Sequence, residues 1–275
     1  MRVFGKWVGR LLVALVVVGL ALWFGVPRTG VQRSIDFSEA NIPADLDAYI
    51  AQREAQFSDI RPGDAKRILW AGVKGAKTPL SVVYVHGFSA GPAELRPVPE
   101  EVAKALGANL FFTRLAGHGR DGAAMAQASA EDWLFDMAEA MAIGRRLGDR
   151  VIVIGTSTGG TLAALAASDP QLNQGLAGTV LISPNFGIHA PAQWILDAPF
   201  VESWGGAVAG ETRAFTPHND EQARHWTTEY PTAALYPMAR LIRAALEVDY
   251  AQVKTPALFL YAPADKVVDP PAPCR

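Results

Sequence analysis

The sequence predicts an α/β protein with a mostly parallel sheet and helices on both faces. From about residue 67, apolar runs typical of buried strands alternate with helical segments, as expected for right-handed βαβ crossovers. The clearest run is Val151–Ile154, four β-branched residues that predict a strand buried on both faces. A turn with the sequence Gly155-Thr156-Ser157-Thr158-Gly159 follows, and the small residues of 161–167 then favour a helix.

The first 27 residues are predicted to form a transmembrane anchor. Leu11–Val26 contains no charged residue, and twenty residues counted from Trp7 span about 30 Å as a helix. Basic residues are more frequent before this segment than after it. The positive-inside rule therefore predicts a single-pass protein with a cytoplasmic N-terminus and its remaining residues on the periplasmic or extracellular side. A cleaved signal peptide is the alternative, although residues 22–27 offer no small-x-small cleavage site.

Residues 28–60 are predicted to form a linker and an amphipathic helix that Pro43 opens. The apolar face of this helix is predicted to contain Ile42, Leu46, Ile50 and Phe57. Residues 61–275 are predicted to form the α/β domain. Its strands are expected at 67–73, 80–85, 109–114, 151–155, 178–183 and 256–262, and its helices at 92–106, 131–148 and 159–168.

The alternation of strands and helices stops over about 185–250. This stretch is rich in aromatic residues, and it is expected to form a lid over the carboxyl ends of the strands. The aromatic side chains can pack the lid's own core or contact a ligand. An apolar lid favours acyl chains over charged substrates.

Ser157 is the predicted nucleophile. The pattern Gly-x-Ser-x-Gly occurs twice, at Gly155–Gly159 and at Gly87–Gly91, so the pattern alone does not decide. The first copy lies between a strand and a helix, which is the context of a nucleophile elbow. The second copy follows His86 and runs into Pro92, which suits a loop that donates backbone N–H groups to an oxyanion. Ser89 is therefore the less favoured nucleophile. The alternative is that both patterns are ordinary glycine turns with no catalytic role.

Composition limits the possible cofactors and partners. A formal charge of −2 gives no indication of a basic surface that would bind nucleic acid. The single cysteine, Cys274, excludes an intramolecular disulfide and a cysteine-based metal site. No metal or organic cofactor is predicted, and the sequence does not determine the oligomeric state.

Five motifs occur in a fixed order within residues 65–270. They are His86-Gly87-Phe88-Ser89, Arg114-Leu115-Ala116-Gly117-His118-Gly119, Asp132-Trp133, Gly155-Thr156-Ser157-Thr158-Gly159-Gly160 and Ala262-Pro263-Ala264-Asp265-Lys266-Val267-Val268. Together they resemble the α/β-hydrolase superfamily, and within it the group of monoacylglycerol lipases, lysophospholipases and small carboxylesterases. The resemblance implies an α/β-hydrolase fold with a lid insertion.

The resemblance also implies roles for four residues. Ser157 is similar to the family nucleophile, and the backbone N–H groups of Phe88 and Thr158 match the oxyanion-hole positions. Asp265 matches the acid that orients the catalytic histidine, with Asp269 as its nearest competitor.

The histidines take other positions. His118 is expected to have a hydrogen-bonded structural role rather than that of general base, and His86 is expected to brace the oxyanion loop. His189, His218 and His225 fall in the lid, where surface or packing roles are expected.

The resemblance places the catalytic histidine a few tens of residues after Asp265, in a loop that follows one more strand. The sequence ends at Arg275, so the last strand, the last helix and the histidine loop are expected to be missing. Truncation is favoured over a degenerate gene product, because the remaining motifs are intact. A serine without a general base is weakly nucleophilic, so this chain is expected to be inactive or weak. A missing edge strand also predicts marginal stability.

The sequence thus predicts a membrane-anchored serine hydrolase that cleaves lipid-like or other acyl esters through an acyl-enzyme on Ser157. Two alternatives remain open. One is a serine peptidase of the same fold, and the other is a non-catalytic, hydrolase-like binding module.

Overall fold

A computed structural model of the protein describes residues 2–188, 193–262, 265, 267 and 268. Its strands are β1 Arg67–Leu69, β2 Thr78–Val85, β3 Asn109–Phe112, β4 Gly148–Thr156, β5 Leu176–Ile182, β6 Thr212–Ala214, β7 Glu229–Pro231 and β8 Ala257–Leu260. Six of them form one sheet in the order β1-β3-β2-β4-β5-β8, and β6 pairs with β7 separately. All neighbours in the large sheet are parallel except β1 and β3, which confirms the predicted mostly parallel sheet.

Nine helices are found in the described part of the chain. They are α1 Arg2–Gly25, α2 Leu46–Glu54, α3 Val98–Leu106, α4 Gly122–Gln127, α5 Ala130–Leu147, α6 Thr158–Ser168, α7 Val201–Ala209, α8 Asp220–His225 and α9 Leu235–Leu246. The longest helix of the domain, α5, begins with a capping box. In this box Ser129 accepts the N–H of Asp132, and the Asp132 carboxylate accepts the N–H of Ser129.

Helices cover both faces of the sheet because β2 is apolar on both sides. Val83 and Val85 pack into a large core that includes side chains of α5 and α6. Val82 and Tyr84 point to the opposite face, where they pack against a smaller core that includes Ala103 of α3. Successive side chains of a strand point to opposite faces, so this one strand supports two layers of helix.

The differences from the predicted elements are largest at three places. The predicted helix 92–106 starts only at Val98, and turns precede it. The predicted strand 67–73 ends at Leu69 and runs antiparallel to β3, at an edge of the sheet. Helix α2 starts at Leu46 rather than at Pro43, because the side chain of Asp45 accepts the N–H of Ala48 and so caps the helix there.

The segment 193–252, called here the β5–β8 segment, replaces the strand–helix alternation with α7, α8, α9 and the β6–β7 pair. Part of it forms a separate small cluster of Ala198, Val201 and Tyr236, against which Trp23 of α1 packs. Helix α1 contains a 20-residue stretch, Lys6–Gly25, with a mean hydropathy of 2.2 and no buried residue. By length and composition this stretch could cross a membrane.

Within the described residues, β8 lies at one edge of the large sheet. Its apolar side chains are uncovered, with Leu258 54% and Leu260 46% exposed. A strand edge with exposed apolar residues can pair with another strand.

Candidate active site

Ser157 lies on a strained turn between β4 and α6, with φ 50° and ψ −115°. Two glycines allow the chain to turn this sharply. A Cβ on Gly155 would lie 2.4 Å from the carbonyl oxygen of Gly159, and a Cβ on Gly159 would lie 2.0 Å from that of Val85. The Ser157 hydroxyl makes no hydrogen bond with the described residues and does not cap α6. The turn therefore presents a free, half-buried hydroxyl at the carboxyl end of the sheet.

The backbone N–H groups of Phe88 and Thr158 belong to the two chain segments that lie next to this hydroxyl. Thr158 is the first residue of α6, and Phe88 belongs to the loop after β2. Neither N–H donates to an acceptor within the described part of the chain. The loop after β2 passes close to the turn, since a Cβ on Gly87 would lie 3.2 Å from the Cβ of Ser157. The N-terminus of α6 also supplies the positive end of a helix dipole.

Asp265 follows β8 in a turn held by its own carboxylate. Its Oδ1 accepts the N–H groups of Val267 at 2.8 Å and Val268 at 3.1 Å. Val268 also forms an antiparallel bridge with Ile188, which follows β5. The Asp265 turn therefore lies at the carboxyl end of the sheet, as Ser157 does. The competing residue, Asp269, lies outside the described residues.

A cavity of about 840 Å³ connects these residues. Ser157, Phe88 and Asp265 all line it, and so does Ser89. Most of its other walls are apolar and come from the β5–β8 segment and from the Asp265 turn. They include Ile195, Leu196, Phe215, Trp226, Tyr230, Leu235, Met238, Val267 and Val268. This volume and lining are typical of a pocket for a small, largely apolar ligand.

His86 and His118 support the loop after β2 from behind the cavity, and neither lines it. Nε2 of His86 accepts the N–H of Leu115 at 3.0 Å, and its Nδ1 lies 2.9 Å from the carbonyl oxygen of Gly87. Nδ1 of His118 lies 3.0 Å from the carbonyl oxygen of Ala116. Burial holds the pKa of His86 well below its usual range and lowers that of His118 to about 4. Both rings are therefore neutral near pH 7.

Two further polar residues, Glu94 and His218, line the cavity without a predicted role in the site. Glu94 lines the cavity, and its carboxylate bonds to Tyr84 and to the N–H of Gly87. Of the four described histidines, His218 lines the cavity, from an exposed position before α8. The signal for Glu94 was weak, because a single glutamate after Pro92 also suits the first turn of an ordinary helix. No group of three or more possible metal ligands occurs among the described residues.

Comparison with known proteins gives the family. Residues 77–274 match Hydrolase_4, described as serine aminopeptidase, S33. The chain belongs to the Hydrolase_4 family. This Hydrolase_4 member is 30% identical over 193 residues to the thermostable monoacylglycerol lipase of Bacillus sp. (strain H-257), with 70% of this chain and 73% of the relative covered. The predicted resemblance to α/β-hydrolases is thereby confirmed.

Solved structures agree on the fold of this Hydrolase_4 chain. A structure from a study of the metagenome-derived lipolytic enzymes LipS and LipT has a TM-score of 0.61 and 26% identity, covering 77% of this chain and 80% of the other. The monoglyceride lipase of Saccharomyces cerevisiae, solved as a soluble variant with a substrate analog, has a TM-score of 0.52 and 12% identity, covering 74% and 75%. The second likeness supports the fold alone.

Proposed function

We propose that this protein is a serine hydrolase that cleaves carboxylic esters carrying apolar acyl chains. The observation that carries the proposal is the Ser157 hydroxyl, which is free of hydrogen bonds within the described structure and faces a mainly apolar cavity of about 840 Å³. The family supports hydrolytic chemistry. The monoacylglycerol lipase relative supports an ester bond as the target.

In the proposed reaction, Oγ of Ser157 attacks the ester carbonyl carbon and transfers its proton to a general base. The carbonyl oxygen becomes an oxyanion that accepts the N–H groups of Phe88 and Thr158. The alcohol then leaves with a proton from the base, and water hydrolyses the acyl-enzyme by the reverse sequence. The apolar walls from the β5–β8 segment would hold the acyl chain and exclude water, as a lid does.

The general base of this proposal is a histidine oriented by Asp265. Of the four described histidines, His218 is the one that lines the cavity, and it does so from an exposed position.

The direct test is covalent labelling of the full chain with a fluorophosphonate probe, followed by peptide mass spectrometry. Modification should occur at Ser157, and Ser157→Ala should abolish it. Turnover of p-nitrophenyl esters should rise from two-carbon to medium acyl chains and should also be lost in Ser157→Ala. Ester turnover that survives Ser157→Ala would refute the assignment.

Two alternatives are separate outcomes of the same assay. Faster turnover of aminoacyl anilides than of esters would favour a serine peptidase, the activity in the family's description. Ligand binding without labelling or turnover would favour a non-catalytic binding module.

We further propose that α1 anchors the protein in a membrane with the catalytic domain on the outer side. The end of α1 and the residues after it contact the β5–β8 segment. Trp23 of α1 packs on the Ala198 cluster, and Arg28, three residues past the helix, donates to the carbonyl oxygen of Asp197 at 3.3 Å. The cavity wall would then lie close to the lipid surface from which an apolar ester comes. The full chain should stay with membranes after a carbonate wash, and an intact mass without residues 1–27 would instead show a cleaved signal peptide.

A further inference from the structure

Glu94 joins the two loops that meet at the candidate active site. Its Oε2 accepts the N–H of Gly87 at 2.8 Å and the hydroxyl of Tyr84 at 2.8 Å. The same Tyr84 hydroxyl lies 3.2 Å from Oγ1 of Thr156. Gly87 directly precedes Phe88, and Thr156 directly precedes Ser157. One carboxyl group therefore connects the loop of the proposed oxyanion donor to the turn of the proposed nucleophile.

The other carboxyl oxygen of Glu94, Oε1, lies on the side of the Gly87 loop that is next to Ser157. The position that a Cβ on Gly87 would occupy is 2.9 Å from Oε1 of Glu94 and 3.2 Å from the Cβ of Ser157. Both side chains line the cavity. Because Oε2 takes both hydrogen bonds, Oε1 is the oxygen left to face a ligand next to Ser157.

The charge of this carboxyl changes near neutral pH. Burial raises the pKa of Glu94 to about 7, and the hydrogen bonds from Gly87 and Tyr84 lower it only in part. The other titratable or charged groups around it line two pockets. Arg96, His218, Glu221 and His225 line a neighbouring pocket with it, and Arg213, His218 and Asp265 line the main cavity.

We propose that Glu94 is a positioning residue of the hydrolytic centre and that its neutral form is the one that supports acyl transfer. This inference rests on the proposed function. A neutral carboxyl keeps Oε2 as an acceptor for Gly87 and Tyr84 and offers an O–H donor at Oε1 toward the cavity. A carboxylate keeps the two hydrogen bonds but adds a negative charge beside the oxyanion that forms at Ser157, which raises the energy of the transition state.

The test measures kcat and KM for a soluble p-nitrophenyl ester from pH 5.5 to 9.5, using the full chain. In the wild type, deprotonation of Glu94 should lower kcat by about tenfold with a midpoint near pH 7, superimposed on the rise that comes from the general base. Glu94→Gln, which mimics the neutral acid, should lack this step while KM changes little. Glu100→Gln, the same change on α3, is the matched control and should keep the step.

Tyr84→Phe provides a second, directional variant. The Tyr84 hydroxyl lowers the pKa of Glu94, so its removal should move the midpoint of the step to higher pH. The pH dependence of fluorophosphonate labelling at Ser157 gives the same readout if turnover is slow.

The possible results separate this inference from the proposed function. Ser157-dependent turnover or labelling with the same pH step in Glu94→Gln as in the wild type would overturn the role of Glu94 alone. A step in Tyr84→Phe that stays at the wild-type midpoint would do so too. Absence of any Ser157-dependent reaction would overturn the proposed function and this inference with it.

Discussion

The two Gly-x-Ser-x-Gly turns of this protein have the same pattern and similar backbone geometry, yet they have different surroundings. Ser89 has φ 61° and Ser157 has φ 50°, and both line the same cavity. After Ser157, the eleven-residue helix α6 begins at once. After Ser89, turns continue until α3 begins at Val98.

The two turns also differ in their contacts with the rest of the chain. Ser89 is only 6% exposed, and its carbonyl oxygen accepts the N–H of Thr227 from the β5–β8 segment. The carbonyl oxygen of Ser157 accepts the N–H groups of Thr161, within the turn and helix, and of Asn185, after β5. Both pentapeptides hold their serine at a positive φ. Only Ser157 is followed at once by a helix, whose N-terminus supplies the N–H group and the dipole that the proposed chemistry requires.

The largest difference between the two turns is expected when each serine is replaced by alanine. Ser157→Ala should reduce turnover by roughly 10⁴-fold or more, because its hydroxyl is the proposed site of the acyl-enzyme. Ser89→Ala should change kcat/KM by less than about tenfold, since its hydroxyl lies on a turn without a following helix. The measurement is kcat/KM on one ester for both variants, and a larger loss in Ser89→Ala would reverse the assignment.

Replacing the last glycine of each turn by alanine should lower the free energy of unfolding by different amounts. A Cβ on Gly159 would lie 2.0 Å from the backbone oxygen of Val85, whereas a Cβ on Gly91 would lie 2.8 Å from the side chain of Asp64. The backbone of β2, a central strand, cannot shift to relieve such a contact as readily as the side chain of Asp64 can. Gly159→Ala should therefore lower the free energy of unfolding by about 3 kcal/mol or more, and Gly91→Ala by about 1–2 kcal/mol. Urea denaturation measures both, and equal losses would contradict the argument.

The surroundings of Ser89 should also depend on a buried acid–histidine contact. Asp64 is fully buried, and its Oδ1 lies 2.9 Å from Nδ1 of His225 at the end of α8. Desolvation raises the pKa of Asp64, and His225 opposes that shift. His225→Ala should lower the free energy of unfolding by about 1–3 kcal/mol by removing a partner of this buried group.

The sign of the pH dependence follows from the direction of that shift. An acid whose pKa is raised on folding binds more protons in the folded state, so its folded form loses stability as pH rises above the usual value of 3.8. His225→Ala raises the pKa of Asp64 further, so its destabilisation should grow with pH above that value. A pH-independent loss, measured by urea denaturation at several pH values, would show that Asp64 is not the group affected.

The smallest effect is expected for the exposed partner of the same histidine. Nε2 of His225 lies 3.7 Å from the carboxylate of Glu221, whose side chain is 70% exposed. Pairs of this kind contribute little in water, so Glu221→Ala should change the free energy of unfolding by less than about 0.5 kcal/mol. A loss as large as that of His225→Ala would mean that the helix, rather than the Asp64 contact, controls stability here.

Much of the fold could be predicted because its signals are local. The apolar run before Gly155, the two glycines and the small residues after them lie next to one another, so the strand, turn and helix could be predicted together. The boundaries of β4 and β5 differ from prediction by a few residues, and the order of elements along the sheet-forming part agrees. The roles assigned to Ser157, Phe88, Thr158 and Asp265 stay predictions, although the structure brings these segments to the carboxyl end of the sheet.

The predicted helix start at residue 92 is wrong, because residues 92–97 form turns. Pro92 and Glu94 suit a helix start, but the Glu94 carboxylate bonds to Gly87 and Tyr84 instead of supporting a helix turn. The helix then begins later, at Val98. Side-chain contacts across a loop have no periodic signature in the sequence.

By itself, the sequence determined the parallel sheet, the strained serine turn and the apolar N-terminal helix, because each depends on neighbouring residues. Only the tertiary structure decided which polar groups meet. It brings Glu94 beside Ser157, pairs Asp64 with His225 across 161 residues, and buries Lys66 against Asp136 at 2.8 Å. The physical reason is that hydrogen bonds and ion pairs act over a few ångströms in space, and chain separation does not limit them once the core has folded.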